Sequence, residues 1–498
     1  MYTLGFDIGS SSVKVSLLNI ETGKSDFSAF SPKNEMPIMA ARAGWAEQDP
    51  NMWWENLKIA TKEVLAASCV KSDQIVAIGI SYQMHGLVIV DKNKQVLRPS
   101  IIWCDSRAVE IGRDAFNAIG VEKCLASLMN SPGNFTASKL RWVKLNEPKI
   151  FEKVDKFMLP GDYVAMRLTG DAVTTESGLS EGILWDFKAN SPAQFLLDHY
   201  GISKDMIPPI VPTFGEQGRL TESAAKEFGL AKGTPVSYRA GDQPNNALSL
   251  NVMEPGEIAA TAGTSGVVYG VCDSLKYDPP SRVNSFAHVN HKKDARRIGV
   301  LLCINGTGIS NSWMRRITGQ ESVKYSKLDE MAMSTPVGAD GLIYLPFGNG
   351  AERMLENRDT GAQLMNVQYN IHTPSHLMRA VHEGIAFSFN YGINIMHEMD
   401  MKPKVMRAGL ANLFLGPIFR ETLAQVAGVT IELYNTDGSQ GAARGAALGA
   451  KYFSSRQEAF KGLERLKIIE PQQSQKSKYQ ELYQHWSSAL SHILQIKG

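Results

Sequence analysis

Apolar and polar residues change their spacing along this chain in ways that separate strands from helices. Tyr2 to Asp7 is a short β-rich run, Gly9 to Ser12 is turn material, and Val13, Val15 and Leu17 alternate with Lys14, Ser16 and Leu18 at the two-residue period of a strand. This predicts a hairpin. Glu21-Thr-Gly-Lys24 supplies another turn before a third run containing Phe27 and Phe30, so the chain opens as an antiparallel meander. Between Trp53 and Ala67 the spacing becomes helical (Trp53, Trp54, Leu57, Ala60, Val64, Leu65), with Asp49 as cap and Pro50 in the first turn. Ile75 to Ser81 is then a nearly continuous apolar strand, the kind covered on both faces. Meander, helix and buried strand in that order predict an α/β fold around a sheet of mixed direction.

Past the middle the pattern restarts. Val236 to Ala240 reads as a strand, Gly241-Asp-Gln243 as a sharp turn, and Pro244 as the start of a helix. Glu257 to Ala262, Gly263-Thr-Ser-Gly266 and Val267 to Tyr269 then give strand, turn and strand, about half a chain from their counterpart at Tyr2 to Leu17. An internal duplication is expected, with a first domain over 1–248 and a second over 249–498. Leu377 to Met396 carries apolar residues at helical spacing, and Gly441 to Tyr452 is a small-residue helix suited to close packing. Tyr479, Leu482, Tyr483, Trp486, Leu490, Ile493 and Leu494 form the apolar stripe of a last helix docked on its own core.

Composition narrows the classes. With 52 Lys+Arg against 50 Asp+Glu in 498 residues, the net charge of +2 advertises no polyanionic surface, which argues against nucleic acid as a partner. No run reaches the ~18 apolar residues of a membrane span, and the first residues lack the pattern of a leader, so no membrane partner and a cytoplasmic location are expected. Five scattered cysteines without CxxC spacing (Cys69, Cys104, Cys124, Cys272, Cys303) are expected to be buried and reduced.

Candidate chemistry starts at Asp7-Ile-Gly-Ser-Ser-Ser-Val-Lys14. A carboxylate at a strand end beside a turn of glycine and serines offers N–H groups and hydroxyls to a phosphate, and the acid suits a magnesium ion held through water; an ordinary hairpin turn fits the same residues. Gly263, Thr264, Ser265 and Gly266 repeat that chemistry in the second half. Asp242, at a helix N-terminus that favours its ionised form, suits a general base, and equally a helix cap. Gly23-Lys24-Ser25 mimics the end of a P-loop but lacks its first glycine and lies in a hairpin turn. His288 and His291 stand in a polar stretch beside Lys292 and Lys293 and read as a solvated turn.

These segments together resemble the FGGY carbohydrate kinases, a branch of the actin and hexokinase superfamily. The likeness runs from Asp7 to about Tyr452 and is carried by Asp7 to Lys14, Gly44-Trp-Ala-Glu-Gln-Asp-Pro50 with Trp53 and Trp54, Gln83-Met-His-Gly86, Trp103-Cys-Asp-Ser-Arg107, Thr136-Ala-Ser-Lys-Leu-Arg-Trp142, Gly241-Asp-Gln243 and Gly263-Thr-Ser-Gly266. Within the family, Gln83 to Gly86 is similar to the xylulokinase branch, in which the Met-His pair contacts the sugar.

The resemblance implies two actin-like (ribonuclease H-like) domains with mixed central sheets closing over a deep cleft. It implies transfer of the ATP γ-phosphoryl group to a ketopentose hydroxyl, D-xylulose to D-xylulose 5-phosphate, with ATP and Mg2+ as cofactors and a small-molecule sugar as substrate. Asp242 would accept the hydroxyl proton, Asp7 would position Mg2+, and Gly9, Ser10, Ser11, Ser12, Lys14, Gly263, Thr264 and Ser265 would hold the phosphates. Gln83, Met84 and His85, with Trp103, Asp105, Arg107 and Asn245, would line the sugar site. At the adenine end, Arg407-Ala-Gly-Leu-Ala-Asn412 keeps only Gly409 of the family's glycine triplet, and Gly409 and Asn412 would face the nucleotide. Asp359 to Val367 replaces an arginine-and-glycine run, and Ser138 stands where relatives often carry proline. Open alternatives are a ribulose, L-ketose or sugar-acid kinase, or a sugar and nucleotide sensor without turnover. A chaperone-like ATPase of the same superfamily has no sequence for a peptide-binding domain after residue 456. A monomer and a homodimer both remain open.

Overall fold

The computed structural model describes residues 1–496. The meander forms as expected: β1 (Tyr2–Ile8), β2 (Val13–Asn19) and β3 (Phe27–Ser31) pair antiparallel in sequence order. Helix α1 (Pro50–Ser68) comes next, started by the Asp49 carboxylate accepting from the Asn51 N–H at 2.9 Å and by proline in the first turn. Its Trp53 and Trp54 are buried against the sheet. The apolar strand β4 (Ile75–Tyr82) lies parallel to β1, and β5 (Val236–Gly241) parallel to β4, giving the order β5-β4-β1-β2-β3. Helix α2 (Asp242–Ser249) leaves β5 with no intervening loop, so it begins two residues before the expected Pro244.

A second sheet repeats this plan. It contains β6 (Ile258–Ala262), β7 (Gly266–Cys272), β8 (Asn284–Ala287) and β9 (Ile298–Ile304). Helices α3 (Gly308–Ile317) and α4 (Pro374–Glu398) separate these from β10 (Val405–Gly409) and β11 (Thr430–Tyr434). Helix α5 (Gly438–Gly449), strand β12 (Arg465–Ile469) and helix α6 (Lys476–Ile496) complete the chain. The order is β8-β9-β7-β6-β10-β11-β12. With its edge strands β8 and β12 removed, it matches the first sheet strand for strand: β6 is antiparallel to β7, β7 to β9, β6 parallel to β10, and β10 parallel to β11.

Helix α5 belongs to the second half by sequence but packs on the first sheet. Glycines on both sides allow that approach: a Cβ on Gly5 of β1 would lie 2.0 Å from the Ser439 carbonyl oxygen, one on Gly79 of β4 2.0 Å from that of Ala442, and one on Gly449 of the helix 1.8 Å from that of Ser237. Thr3 Oγ1 and Ser237 Oγ donate to the α5 carbonyls of Ala443 (2.7 Å) and Ala446 (2.8 Å), so the seam is hydrogen-bonded as well as close. Helix α6 buries Tyr479, Trp486 and Leu490, and the Trp486 indole donates to the Tyr344 carbonyl at 2.9 Å.

Three expectations change. His288 is buried instead of solvated: its Nε2–H donates to the Val252 carbonyl (3.1 Å), its Nδ1 accepts from the Tyr269 hydroxyl (3.0 Å), and burial pushes its pKa down to about 3. His291 lies beside it, 3.3 Å from Glu176 Oε1. All five cysteines are free, but Cys69, the residue that caps the end of α1, and Cys104 are exposed. The small-residue helix ends at Gly449 instead of Tyr452. No helix among the described residues is long and apolar enough to cross a membrane.

Candidate active site

Two glycine-bearing turns stand at corresponding places in the two sheets. The turn between β1 and β2 is closed by the Gly9 N–H donating to the Ser12 carbonyl at 3.0 Å. A Cβ on Gly9 would come within 2.9 Å of the same oxygen, which is why glycine stands there. Among the described residues, the N–H groups of Ser10, Ser11 and Ser12 have no acceptor. Between β6 and β7, Gly263, Thr264 and Ser265 make the matching turn, with Thr264 and Ser265 exposed. Its carbonyls are used from behind, where Gly263 accepts from the Gly308 N–H (2.9 Å) and Thr264 from the Ile309 N–H (3.1 Å). The turn therefore sits against the first residues of α3, and a Cβ on Gly308 would lie 2.4 Å from the Gly263 oxygen. Beside it opens a cavity of about 600 Å³ lined by Gly263, Thr264, Asn311, His382 and Asn412 among others. Gly409 ends β10 just before that cavity and does not line it.

Carboxyl groups gather at the carboxyl ends of β1 and β5. Asp7 sits opposite Ser81 in the parallel β1–β4 pairing and accepts from its hydroxyl at 2.8 Å. Burial, with the Asp437 charge adding to it against the Ser81 hydrogen bond, raises the Asp7 pKa. Asp242 is the first residue of α2 and half-buried; burial, and then the charge of Asp7, pushes its pKa up to about 7. A carboxyl with that value is poised to take a proton near neutral pH. It is a helical residue, so the expected alternative of a simple cap does not hold; Gly241 occupies the cap position. Lys14 pairs across from Asp7 on β2 and is exposed.

The segment after β4 forms the other wall. Gln83 is buried, its N–H donating to the Ile8 carbonyl (2.7 Å) and its Nε2 to Gln48 Oε1 (3.3 Å). Gln48 in turn donates to the Ser10 carbonyl at 2.7 Å, so a chain of amides ties this segment to the first turn. Met84 fills the space beside Gly241, where a Cβ would meet its Cγ at 2.5 Å. His85 adopts a left-handed φ of 60°, and its ring stands edge-on to Phe135 at 4.7 Å and tilted against Phe286 at 5.3 Å. Its Nδ1 is 2.9 Å from the Glu181 carbonyl oxygen, which can only accept, so Nδ1 carries the proton and Nε2 is left as an acceptor. Burial, helped by the Lys139 charge, pushes the His85 pKa down to about 3 and keeps the ring neutral. Trp103 is 51% exposed, with its indole N–H 3.4 Å from Ser10 Oγ, and stands at the first turn.

Not every expected residue reaches the cleft. Asp105 is fully buried, accepting from the Ala46 N–H at 2.6 Å and from Arg107 Nη2 at 2.7 Å. Arg107 also pairs with Glu47 at 2.6 Å, and its guanidinium lies over Trp45 (3.9 Å) and Trp142 (4.8 Å). The polar atoms of this ion pair hold the 44–50 segment, and the face of its guanidinium packs the 136–142 segment against it. Asn245 is buried and donates to the Gly438 carbonyl at 2.8 Å, at the seam with α5; Asn246 is the half-exposed asparagine of that turn.

Two residues without an expected role belong to the site. Lys139, buried within the 136–142 segment, donates from Nζ to the carbonyls of His85 (2.8 Å) and Ile102 (2.9 Å), so one ammonium pins the loops that carry His85 and Trp103. Burial pushes its pKa down to about 7, against the pull of Asp105. Glu181 is buried with Oε2 4.0 Å from His85 Nδ1 and 2.9 Å from where a Cβ on Gly241 would stand. Burial raises its pKa well above the carboxylate range, with Asp242 among the charges adding to the effect. The 136–142 run pointed to Lys139; nothing local marked Glu181.

The profile described as the FGGY family of carbohydrate kinases, N-terminal domain, matches residues 2–249. The xylulose kinase of Escherichia coli (strain K12) is 29% identical over 445 residues, which cover 89% of this chain and 88% of that protein. The L-xylulose/3-keto-L-gulonate kinase of the same strain is 28% identical over 502 residues, 98% and 97% of the two chains. The crystal structure of a xylulose kinase from Brucella ovis superposes with a TM-score of 0.90 at 25% identity, covering 100% of both chains. The repeated sheet order and these full-length likenesses describe the two-domain actin-like, ribonuclease H-like fold. Paired turns, converging carboxyls and matches along the whole chain agree: this protein belongs to the FGGY family of carbohydrate kinases and is a carbohydrate kinase.

Proposed function

We propose that the protein phosphorylates a ketopentose at the expense of ATP, converting D-xylulose to D-xylulose 5-phosphate. The observation that carries this is the placing of Asp242, with a pKa of about 7, on the same side of the first sheet as a neutral His85 whose Nε2 is free to accept from a hydroxyl. In this reading the sugar lies between them. Asp242 takes the proton of the attacking hydroxyl, and His85 Nε2 accepts from another. The N–H groups of Ser10 to Ser12 and of Thr264 and Ser265 receive the phosphates, and the cavity by Asn311, His382 and Asn412 takes the base. Phosphoryl transfer is chiefly positioning and charge stabilisation, so turns on two domains that close together are suited to it. Closure excludes water that would compete as acceptor.

The donors present fit a magnesium ion of the family's kind. The Asp437 charge adds to the negative potential at Asp7, and exposed Lys14 opposes it. Among the described residues no group of three or more His, Cys, Asp or Glu forms a metal cage. Mg2+ takes one or two carboxylates, waters and substrate phosphates, so Asp7 would hold it together with phosphate oxygens. When bound, it neutralises charge on the phosphates. The division of labour between 1–248, for sugar and first turn, and 249–498, for nucleotide, is part of the same reading.

A second reading, an L-ketose or keto-sugar-acid kinase, is favoured by the full-length likeness to the L-xylulose/3-keto-L-gulonate kinase. Coupled ADP release measured over D-xylulose, L-xylulose, ribulose and sugar acids separates the two. A highest kcat/KM for D-xylulose is expected; a highest value for any other sugar overturns the specificity, and no sugar-dependent ADP release overturns the activity.

A further inference from the structure

Arg353 is a cation of the second half that reaches the sugar wall of the first. It opens the short turn Arg353–Leu355, directly after Glu352, whose buried carboxylate accepts from the Asn305 N–H at 3.0 Å and so fixes this backbone at the end of β9. The Arg353 Nη1 donates to Asn284 Oδ1. Asn284 opens β8, and Phe286, two residues on and therefore on the same face of that strand, places its ring 5.3 Å from the ring of His85. Cys303 on β9 feels the charges of Arg353, of Glu352 and of Asp242. The guanidinium thus lies on the side of β8 that faces His85, near enough for its charge to act on that ring.

Its partners do not use it up. A guanidinium has five N–H donors, and one hydrogen bond to a neutral amide accounts for one of them. Among the described residues no carboxylate lies within 4.0 Å of it; the buried Arg239 and Arg379 each have such a partner, and the buried Arg420 and Arg444, which also lack one, each donate to two backbone carbonyls. Burial holds the Arg353 pKa below its ordinary value. A half-buried arginine fork without a protein acceptor is suited to acceptor oxygens that arrive with a ligand.

We propose that Arg353 is a specificity-determining residue of the sugar site, donating to acceptor oxygens of the bound sugar when the halves close. This rests on the sugar lying between His85 and Asp242. Those oxygens are the ketone and hydroxyl oxygens of a neutral ketose or the carboxylate of a sugar acid, and the test tells them apart.

Arg353→Gln and Arg353→Lys are compared with the wild type by calorimetric titration and by kinetics, using D-xylulose and D-gluconate as probes and recording the KM for ATP and the Tm. Arg353→Gln is expected to weaken sugar binding and raise sugar KM by about 10- to 100-fold, with ATP KM within about twofold. Arg353→Lys, which keeps the charge but loses the fork, is expected to fall between, and it carries the test if the glutamine variant does not fold. A larger loss for gluconate than for xylulose assigns the acceptor as a carboxylate; the reverse assigns it as ketose oxygens. Unchanged sugar binding in both variants, or a matching rise in ATP KM, overturns the inference. Binding of a sugar without its phosphorylation overturns the proposed activity and leaves the Arg353 result readable; binding of neither sugar to the wild type overturns both.

Discussion

The two sheets share one strand order and one set of directions, yet the segments that leave their corresponding strands differ. Among the described residues, the turns that end the strand pairs β1–β2 and β6–β7 both carry N–H groups without an acceptor, so this feature is common to the halves. After the fourth strand they part. β4 leads into Gln83, Met84 and His85, whereas β10 leads through Leu410 to Asn412 and the 600 Å³ cavity. After the fifth strand, each half places an aspartate at the start of a helix. Asp437 spends its carboxylate as a cap, accepting from the Gln440 N–H (3.1 Å) and Ser439 Oγ (2.7 Å), while Asp242 is already helical and its pKa lies near 7. One scaffold therefore carries two aspartates at matching places, one used as a cap and one that the proposed function makes the base. The difference is a one-residue shift relative to the helix start.

Turnover is where the two aspartates should diverge most. Asp242→Asn is expected to lower kcat about a thousandfold while leaving sugar binding by calorimetry nearly unchanged. In the wild type, kcat should fall as pH drops through about 7, as the base becomes protonated. The linkage has the opposite sense for stability. A folded pKa above the unfolded value means stability that is full in acid and lost as pH rises toward 7, so urea unfolding should show Asp242→Asn gaining on the wild type between pH 5 and pH 8.

The next effect is on the seam. Gly79→Val would drive a side chain into the Ala442 carbonyl, and a loss of about 3 kcal/mol is expected in urea unfolding. On the side proposed for the nucleotide, Gly308→Ala presses on Gly263 and should raise ATP KM about tenfold with sugar KM unchanged, for a cost of about 1.4 kcal/mol. Lys139→Met should do the converse, raising sugar KM several-fold by releasing the His85 and Ile102 carbonyls. The smallest effect is expected at Asp437→Ala, about 1 kcal/mol of stability from the lost cap, with turnover far above that of Asp242→Asn.

Much of this was legible in sequence where the cause is local. Asp49 and Pro50 start a helix by the chemistry of the first turn, alternation set β1 and β2, and glycine in Gly9 and Gly263 marked the turns. Residues whose fate depends on distant partners were not. His288 lies among polar neighbours in sequence, but Tyr269 and Val252 enclose it. Asp105 and Arg107 come after an apolar strand that suggested access to the cleft, yet Ala46, Glu47 and two tryptophans absorb them. Glu181 is brought to His85 across ninety-six positions, a distance over which no periodicity speaks.

Helix α5 also sets an order of events. The first sheet has all its strands once Gly241 has been made, but the helix that covers it begins only at Gly438, roughly 200 residues later. At 5–20 residues per second that interval is about 10–40 s, during which the glycine-lined face of β1 and β4 waits for its cover. The first half is thus the earlier to be synthesised and cannot be the earlier to be finished. Separately expressed halves should therefore become a soluble pair only when made together.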